Sequence, residues 1–171
     1  MRILFPMVAR SENELAAFLN TFGITGRSKG SMLTQKNLLS KALALVEAWQ
    51  FTADNVLLHA LPIFHTHGLF VATNVSLISG GSLIFLSNYD LDAIAKYMPK
   101  ATSLMSVPTF YARFPDDPRF TAASSAHMWL FISGLAPLLA EIHSRFEART
   151  GRCILERYGM TETNMNTLNP Y

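Results

Sequence analysis

The sequence predicts an α/β fold, a mostly parallel sheet with helices on both faces. Three observations lead there. Short β-like runs alternate with stretches of helical spacing. Most of those β-like runs are apolar throughout, which is how strands buried on both faces read. The chain has 171 residues, half of them apolar, enough for one domain with a real core. No internal repeat or low-complexity segment interrupts the pattern.

Taken in order, "ELAAFL" (14–19) is an apolar, strand-like run leading into the glycine-rich stretch "TFGITGRSKG" (21–30). Thr34 is a plausible N-cap, and Leu38, Leu39, Ala42, Leu45, Val46 and Trp49 follow at helical spacing. "NVLLHALP" (55–62) reads as a buried strand stopped by Pro62, "HGLFVATNVSLISGG" (67–81) as a helix closed by a glycine pair, and "SLIFLS" (82–87) as another strand. Asp90 caps a short helix carrying Leu91, Ile94, Ala95 and Met98 and ended by Pro99. "ATSLMSVP" (101–108) and "HMWLFISG" (127–134) are further strands, with "FPDDPRF" (114–120) a loop insertion between them. Pro137 starts a helix with Leu138, Leu139, Ile142 and Phe146 on one side, and Gly151 stops it. "RCILERYG" (152–159) is a last strand and turn, and the polar tail "TETNMNTLNPY" (161–171) closes no element.

Composition excludes some classes. A net charge of +2 from 14 basic and 12 acidic residues, with no basic run, does not suit a nucleic-acid binder. No stretch approaches the ~18 apolar residues that span a bilayer. The opening "MRILFPMVAR" is too short for a secretory signal. Cys153 is the one cysteine, so no intramolecular disulfide can form, and a half-buried strand thiol is expected there. These features lead us to expect a soluble, cytoplasmic protein with no membrane partner.

The glycine-rich stretch suits a backbone cradle for an anion. It is not a Walker loop: counting from Gly23, the second glycine position holds Ser28, and Lys29 is followed by Gly30 instead of a hydroxyl. A flexible turn fits the letters equally well. "ERYGMTET" (156–163) groups an aromatic, a glycine turn, a hydroxyl and a carboxylate. Such a set can stack on a base and hold Mg²⁺ through Glu162, although Glu162 can equally be a solvated turn residue. His65 and His67 are spaced for metal ligands only on an extended segment, and pocket-lining or core roles suit both better. His59, His127 and His143 read as ordinary strand and helix residues.

In this order the two motifs resemble the adenylate-forming superfamily of acyl-CoA synthetases, whose loop runs Thr-Ser-Gly-Thr-Thr-Gly-x-x-Lys-Gly and whose second signature is Tyr-Gly-x-Thr-Glu. "LPIFHTHGLF" (61–70), "SVPTFYARF" (106–114), "FISGLAPL" (131–138) and "ERYGMTETNMNTLNPY" (156–171) look most like the malonyl-CoA synthetase branch. The resemblance covers residues 8–171 as a partial AMP-binding domain, with residues 1–7 a leader outside it. It implies a subdomain of the large N-terminal domain of these enzymes.

The resemblance implies an ATP-dependent acid–CoA ligase for malonate or a similar small carboxylic acid, with ATP, Mg²⁺ and coenzyme A as co-substrates and cofactors. Thr21, Gly23, Thr25, Gly26, Lys29 and Gly30 match the positions that hold the β- and γ-phosphates. Thr161 and Glu162 match the catalytic positions at the α-phosphate and Mg²⁺. Tyr158, Gly134, Leu135 and Ala136 match the adenine walls, and His65 and Met160 the acyl pocket. Arg113 is a candidate for a second substrate carboxylate or, equally, a solvated helix arginine. Asn88 stands where related enzymes often carry a base. Phe22 and Ile24 replace hydroxyls of the family loop at about 1.5–3 kcal/mol each, and Leu135 replaces a small residue. Family members are several times longer, so the resemblance implies a truncated enzyme, inactive alone and carrying an exposed apolar face. A noncatalytic nucleotide-binding module that pairs with a full-length synthetase, or a gene remnant, are the alternatives.

Overall fold

A computed structural model describes residues 8–21, 27 and 29–169. The expected leader 1–7 lies outside them, as do Phe22, Gly23, Ile24, Thr25, Gly26 and Ser28. Five parallel strands form the main sheet: β3 (Val56–His59), β4 (Ser82–Phe85), β5 (Ser103–Ser106), β6 (Leu130–Ser133) and β7 (Leu155–Tyr158). With β8 (Thr167–Leu168), antiparallel on one edge, the strand order is β4-β3-β5-β6-β7-β8. A separate antiparallel hairpin, β1 (Leu15–Thr21) and β2 (Lys29–Thr34), precedes it.

The unbroken apolar strands are explained by two buried faces. Leu57, Met105, Leu130 and Ile132 pack on one side against Leu45 of α1 (Gln35–Ala48), the Trp49 that caps its end, and Val75 of α2 (Thr73–Ile78). Leu58, Leu104 and Phe131 pack on the other. Their partners there are Ile94 of α3 (Leu91–Tyr97), Tyr111 of α4 (Pro108–Tyr111) and Phe146 of α5 (Ala140–Thr150). The buried Tyr111 hydroxyl reaches Ile132 O at 3.0 Å and Leu104 O at 3.2 Å, bridging β5 and β6. The expected fold class is the observed one.

Local signals worked where caps were legible. Thr34 Oγ1 accepts the Asn37 N–H at 3.2 Å while Asn37 Oδ1 accepts the Thr34 N–H at 3.0 Å, a reciprocal cap at the start of α1. Gly151 ends α5 with φ 68°, the left-handed cap that glycine supplies.

Five details differ from expectation. Strand β2 hides its alternation because the small polar Ser31 shares the inward side with Leu33. The helix 67–81 divides into a π-helical turn (His67–Ala72) and α2, where Gly68 O accepts from Thr73 Oγ1 at 3.0 Å and lies 2.8 Å from His59 Nε2. Helix α5 starts after Pro137 by three residues, since the Leu138 N–H donates to Glu156 Oε2 at 3.0 Å and Leu139 is extended. The insertion 114–120 is pinned by buried Phe114 and Phe120, stacked at 4.5 Å. Cys153 is exposed ahead of β7, not half-buried within a strand.

The tail does close an element. Asn164 turns the chain with φ 58°, and β8 then pairs with Tyr158 and Arg157. Its polar letters conceal this because backbone pairing, helped by the apolar Met165 and Leu168, supplies the order.

Candidate functional site

In open parallel sheets ligands bind beyond the carboxyl ends of the strands. There the segment after β6 and the end of β7 frame a cleft of about 470 Å³. Leu135, Ala136 and Pro137 form one wall, and Glu156–Gly159 with Thr167–Asn169 form the other.

The wall after β6 has a strained backbone. Leu135 has φ 79°, in the left-handed region, and its side chain is half exposed. A small residue suits this position for a backbone reason, since glycine alone adopts it without steric cost. At Gly134 a Cβ would stand 2.2 Å from Arg157 Nε. The absent side chain is what lets that guanidinium lie beneath the wall.

The facing wall carries Tyr158, whose side chain is exposed. Gly159 follows, with Asn164 O where its Cβ would be, at 1.9 Å, so the turn 159–165 folds back tightly. The turn presents Met160, Thr161 and Glu162 outward: Met160 and Glu162 are exposed and Thr161 is half-buried. Among the described residues no three His, Cys, Asp or Glu side chains cluster to hold a metal. One exposed carboxylate is nevertheless the donor set that suits Mg²⁺, which keeps its waters and shares substrate phosphates.

Glu156 braces this region from the α5 side. Its carboxylate accepts from the Leu138 N–H and lies 2.9 Å from His143 Nε2, tying the start of α5 to β7. Partial burial works to raise its pKa, but these two hydrogen bonds prevail and leave it lowered. His143 is therefore a positioning partner and not an ordinary helix residue. Carboxylate and imidazole thirteen positions apart give no sequence signal of this.

The glycine-rich stretch lies between two antiparallel strands, not between a strand and a helix. Thr21 Oγ1 donates to Lys29 O at 3.2 Å, closing the hairpin, and the exposed Lys29 opens β2. The Phe18 ring covers Gly30. The expected phosphate ligands Gly23, Thr25 and Gly26 lie outside the described residues. The hairpin is linked to the 159–165 turn through α1, where Lys41 Nζ donates to Met165 O at 2.6 Å.

The structure does not gather every expected residue at one cleft. Exposed Arg113 lies over the Tyr89 ring, 5.9 Å from its centroid, in a separate hollow with Leu91 and Asp116. Exposed His65 packs on Phe64, and Asn88 is exposed beside Ser87. Sequence reasoning passed over Arg157 and treated His67 as pocket or core. Both are buried, and neither Arg157 Nε and Nη2 nor either His67 ring nitrogen has a hydrogen-bond partner. Burial, then Arg157, His59 and His65, hold the pKa of His67 well below its usual value. Burial lowers that of Arg157 to about 10, leaving it charged at neutral pH.

A family model described as AMP-binding enzyme matches residues 4–171. The malonate–CoA ligase ACSF3 of Mus musculus, named as mitochondrial, is 33% identical over 91% of this chain and 29% of its own length. The crystal structure of apo MatB from Rhodopseudomonas palustris superposes with a TM-score of 0.94 at 58% identity, over 98% of this chain and 33% of MatB. A malonyl-CoA ligase ternary product complex with methylmalonyl-CoA and AMP superposes at 0.89 with 37% identity, over 96% of this chain and 37% of that one. The chain thus spans about a third of the length of these relatives. A match across nearly every residue, on the same parallel sheet, means that the chain belongs to the AMP-binding enzyme family, in the branch that holds the malonate–CoA ligases.

Proposed function

We propose that this chain supplies the nucleotide and acyl-binding part of an ATP-dependent ligase joining a small carboxylic acid, malonate or one like it, to coenzyme A. The supporting observation is the cleft at the carboxyl ends of β6 and β7, with the exposed Tyr158 ring on one wall and Thr161 and Glu162 on the turn that leaves it. An ATP-bound MatB at 58% identity has the same fold over 98% of this chain.

In this reading a carboxylate oxygen of the acid attacks the α-phosphorus of ATP, and pyrophosphate leaves with the electron pair of the broken P–O bond. The coenzyme A thiol, losing its proton, then attacks the acyl carbon and AMP departs. The protein supplies charge neutralisation and placement more than a nucleophile. Tyr158 stacks on the adenine, with Gly134, Leu135 and Ala136 opposite. Thr21, Gly23, Thr25, Gly26, Lys29 and Gly30 are the positions we assign to the β- and γ-phosphates, on the family resemblance of the loop. Thr161 donates to the α-phosphate, and Glu162 is the carboxylate that would hold Mg²⁺, which would neutralise charge on the phosphates. His65 and Met160 line the acyl side, while Arg113, in its separate hollow with Leu91 and Asp116, takes no part in it.

Isothermal titration of the chain with Mg·ATP tests this. Saturable binding that AMP competes away is expected. No heat of binding at millimolar Mg·ATP, with the chain shown folded by circular dichroism, contradicts it.

A further inference from the structure

The two walls of the cleft are held with unequal firmness. The Tyr158 wall belongs to β7, which pairs with β6 on one side and β8 on the other. The opposite wall leaves the sheet after Ser133 and enters α5 only at Ala140. Among the described residues, Leu135, Ala136 and Pro137 make no hydrogen bond of their own. Burial of the Leu138 side chain sets how deep this segment lies. It does not set the distance to β7, because apolar packing has no direction. The first directed contact after the sheet is the Leu138 N–H, which donates to Glu156 Oε2 at 3.0 Å. Glu156 stands two residues before Tyr158 on β7, so strand alternation puts both side chains on one face. One hydrogen bond therefore ties wall to wall.

A carboxylate lining a cleft invites an acid–base or metal-binding reading. Both oxygens of Glu156 are occupied, however: Oε2 by the Leu138 N–H and Oε1 by His143 Nε2 at 2.9 Å. The backbone N–H of His143 is itself bonded to Leu139 O, so its ring is anchored to the helix that the carboxylate holds. Partial burial opposes ionisation of Glu156, and the bonds from Leu138 and His143 overcome it. The acceptor is thus a carboxylate at neutral pH, and hydrogen bonds to a charged acceptor are the strong ones.

We infer that Glu156, steadied by His143, is a positioning residue that sets the width of the cleft by fixing the Leu135–Pro137 wall against the Tyr158 wall. The inference rests on the nucleotide reading given above for what fills the cleft. A planar base gains from a facing wall only at van der Waals distance, so a wall free to swing away loses that contact.

The test titrates AMP into the full chain, Glu156→Ala and Glu156→Gln, each with and without Tyr158→Ala. Glutamine keeps an acceptor for the Leu138 N–H and a donor for His143, while alanine keeps neither. Glu156→Ala is expected to bind AMP about five- to thirtyfold more weakly, and Glu156→Gln within about threefold of the parent. In the Tyr158→Ala background the alanine substitution should cost less than about threefold, because the wall then has no ring to be held against. Glutamine as damaging as alanine, or the same loss in both backgrounds, overturns the inference. Hydrogen exchange of the Leu138 amide, read without ligand, gives a second readout. It should be about tenfold or more faster in Glu156→Ala than in the parent and Glu156→Gln, and unchanged exchange overturns the inference as well. If Glu156→Ala does not fold, His143→Leu, at a partly exposed helix position, takes its place. Faster Leu138 exchange than in the parent is then expected, and an unchanged rate contradicts the inference. A parent that binds no AMP sinks the nucleotide reading alone, since the exchange rates still decide whether Glu156 holds the wall.

Discussion

Leu135 is the residue at which backbone and side chain disagree most openly. A non-glycine residue at φ 79° costs about 1–2 kcal/mol, and glycine gives back roughly 0.5–1 kcal/mol through its freer unfolded chain. With the leucine half exposed, little burial is lost on its removal. Leu135→Gly should therefore stabilise the protein by about 0.5–1 kcal/mol, a rise of about 1–4 °C in a thermal melt. A fall would mean that the side chain makes a contribution its exposure conceals. Family letters alone marked Leu135 as a departure, and the dihedral angle supplies a backbone reason. Arg157 was illegible for the converse reason. An arginine in a strand reads as a solvated charge until the strand's burial on both faces is known.

At the scale of elements, strands and helices were legible wherever a cap or a continuous apolar run announced them, as at Thr34, Asp90 and β5. The Thr34 cap is an exposed reciprocal pair, and Thr34→Ala should cost about 1 kcal/mol in denaturant unfolding. Strand β8 and the late start of α5 were not legible, because each is set by a partner distant in sequence. The Glu156 carboxylate holds α5 to β7 and has a lowered pKa. Its contribution is complete above the ordinary carboxyl value of 4.5 and fades as the pH falls from there through the lower folded value. Urea midpoints measured from pH 6 to pH 3 should fall more steeply for the parent than for Glu156→Gln, which lacks the titrating group. Parallel curves would remove Glu156 from that role.

For the molecule as a whole, the sheet brings together at one end what the sequence separates: the end of β6, the end of β7 and the turn folded back by β8. The α1 helix joins the hairpin to that turn through Lys41 and Met165. Among the described residues no helix is long and apolar enough to cross a membrane. Phe18, Met32, Leu39, Leu43 and Leu77 are exposed on the hairpin, α1 and α2. The relatives are about three times as long. What these residues themselves can be asked is whether the cleft holds a nucleotide through Tyr158. Mg·ATP titrated into the parent and into Tyr158→Ala answers that most directly. An aromatic stack on a base is worth about 1–3 kcal/mol, so the variant should bind about 5- to 150-fold more weakly with the same stoichiometry. Equal affinity in the two proteins would contradict the account.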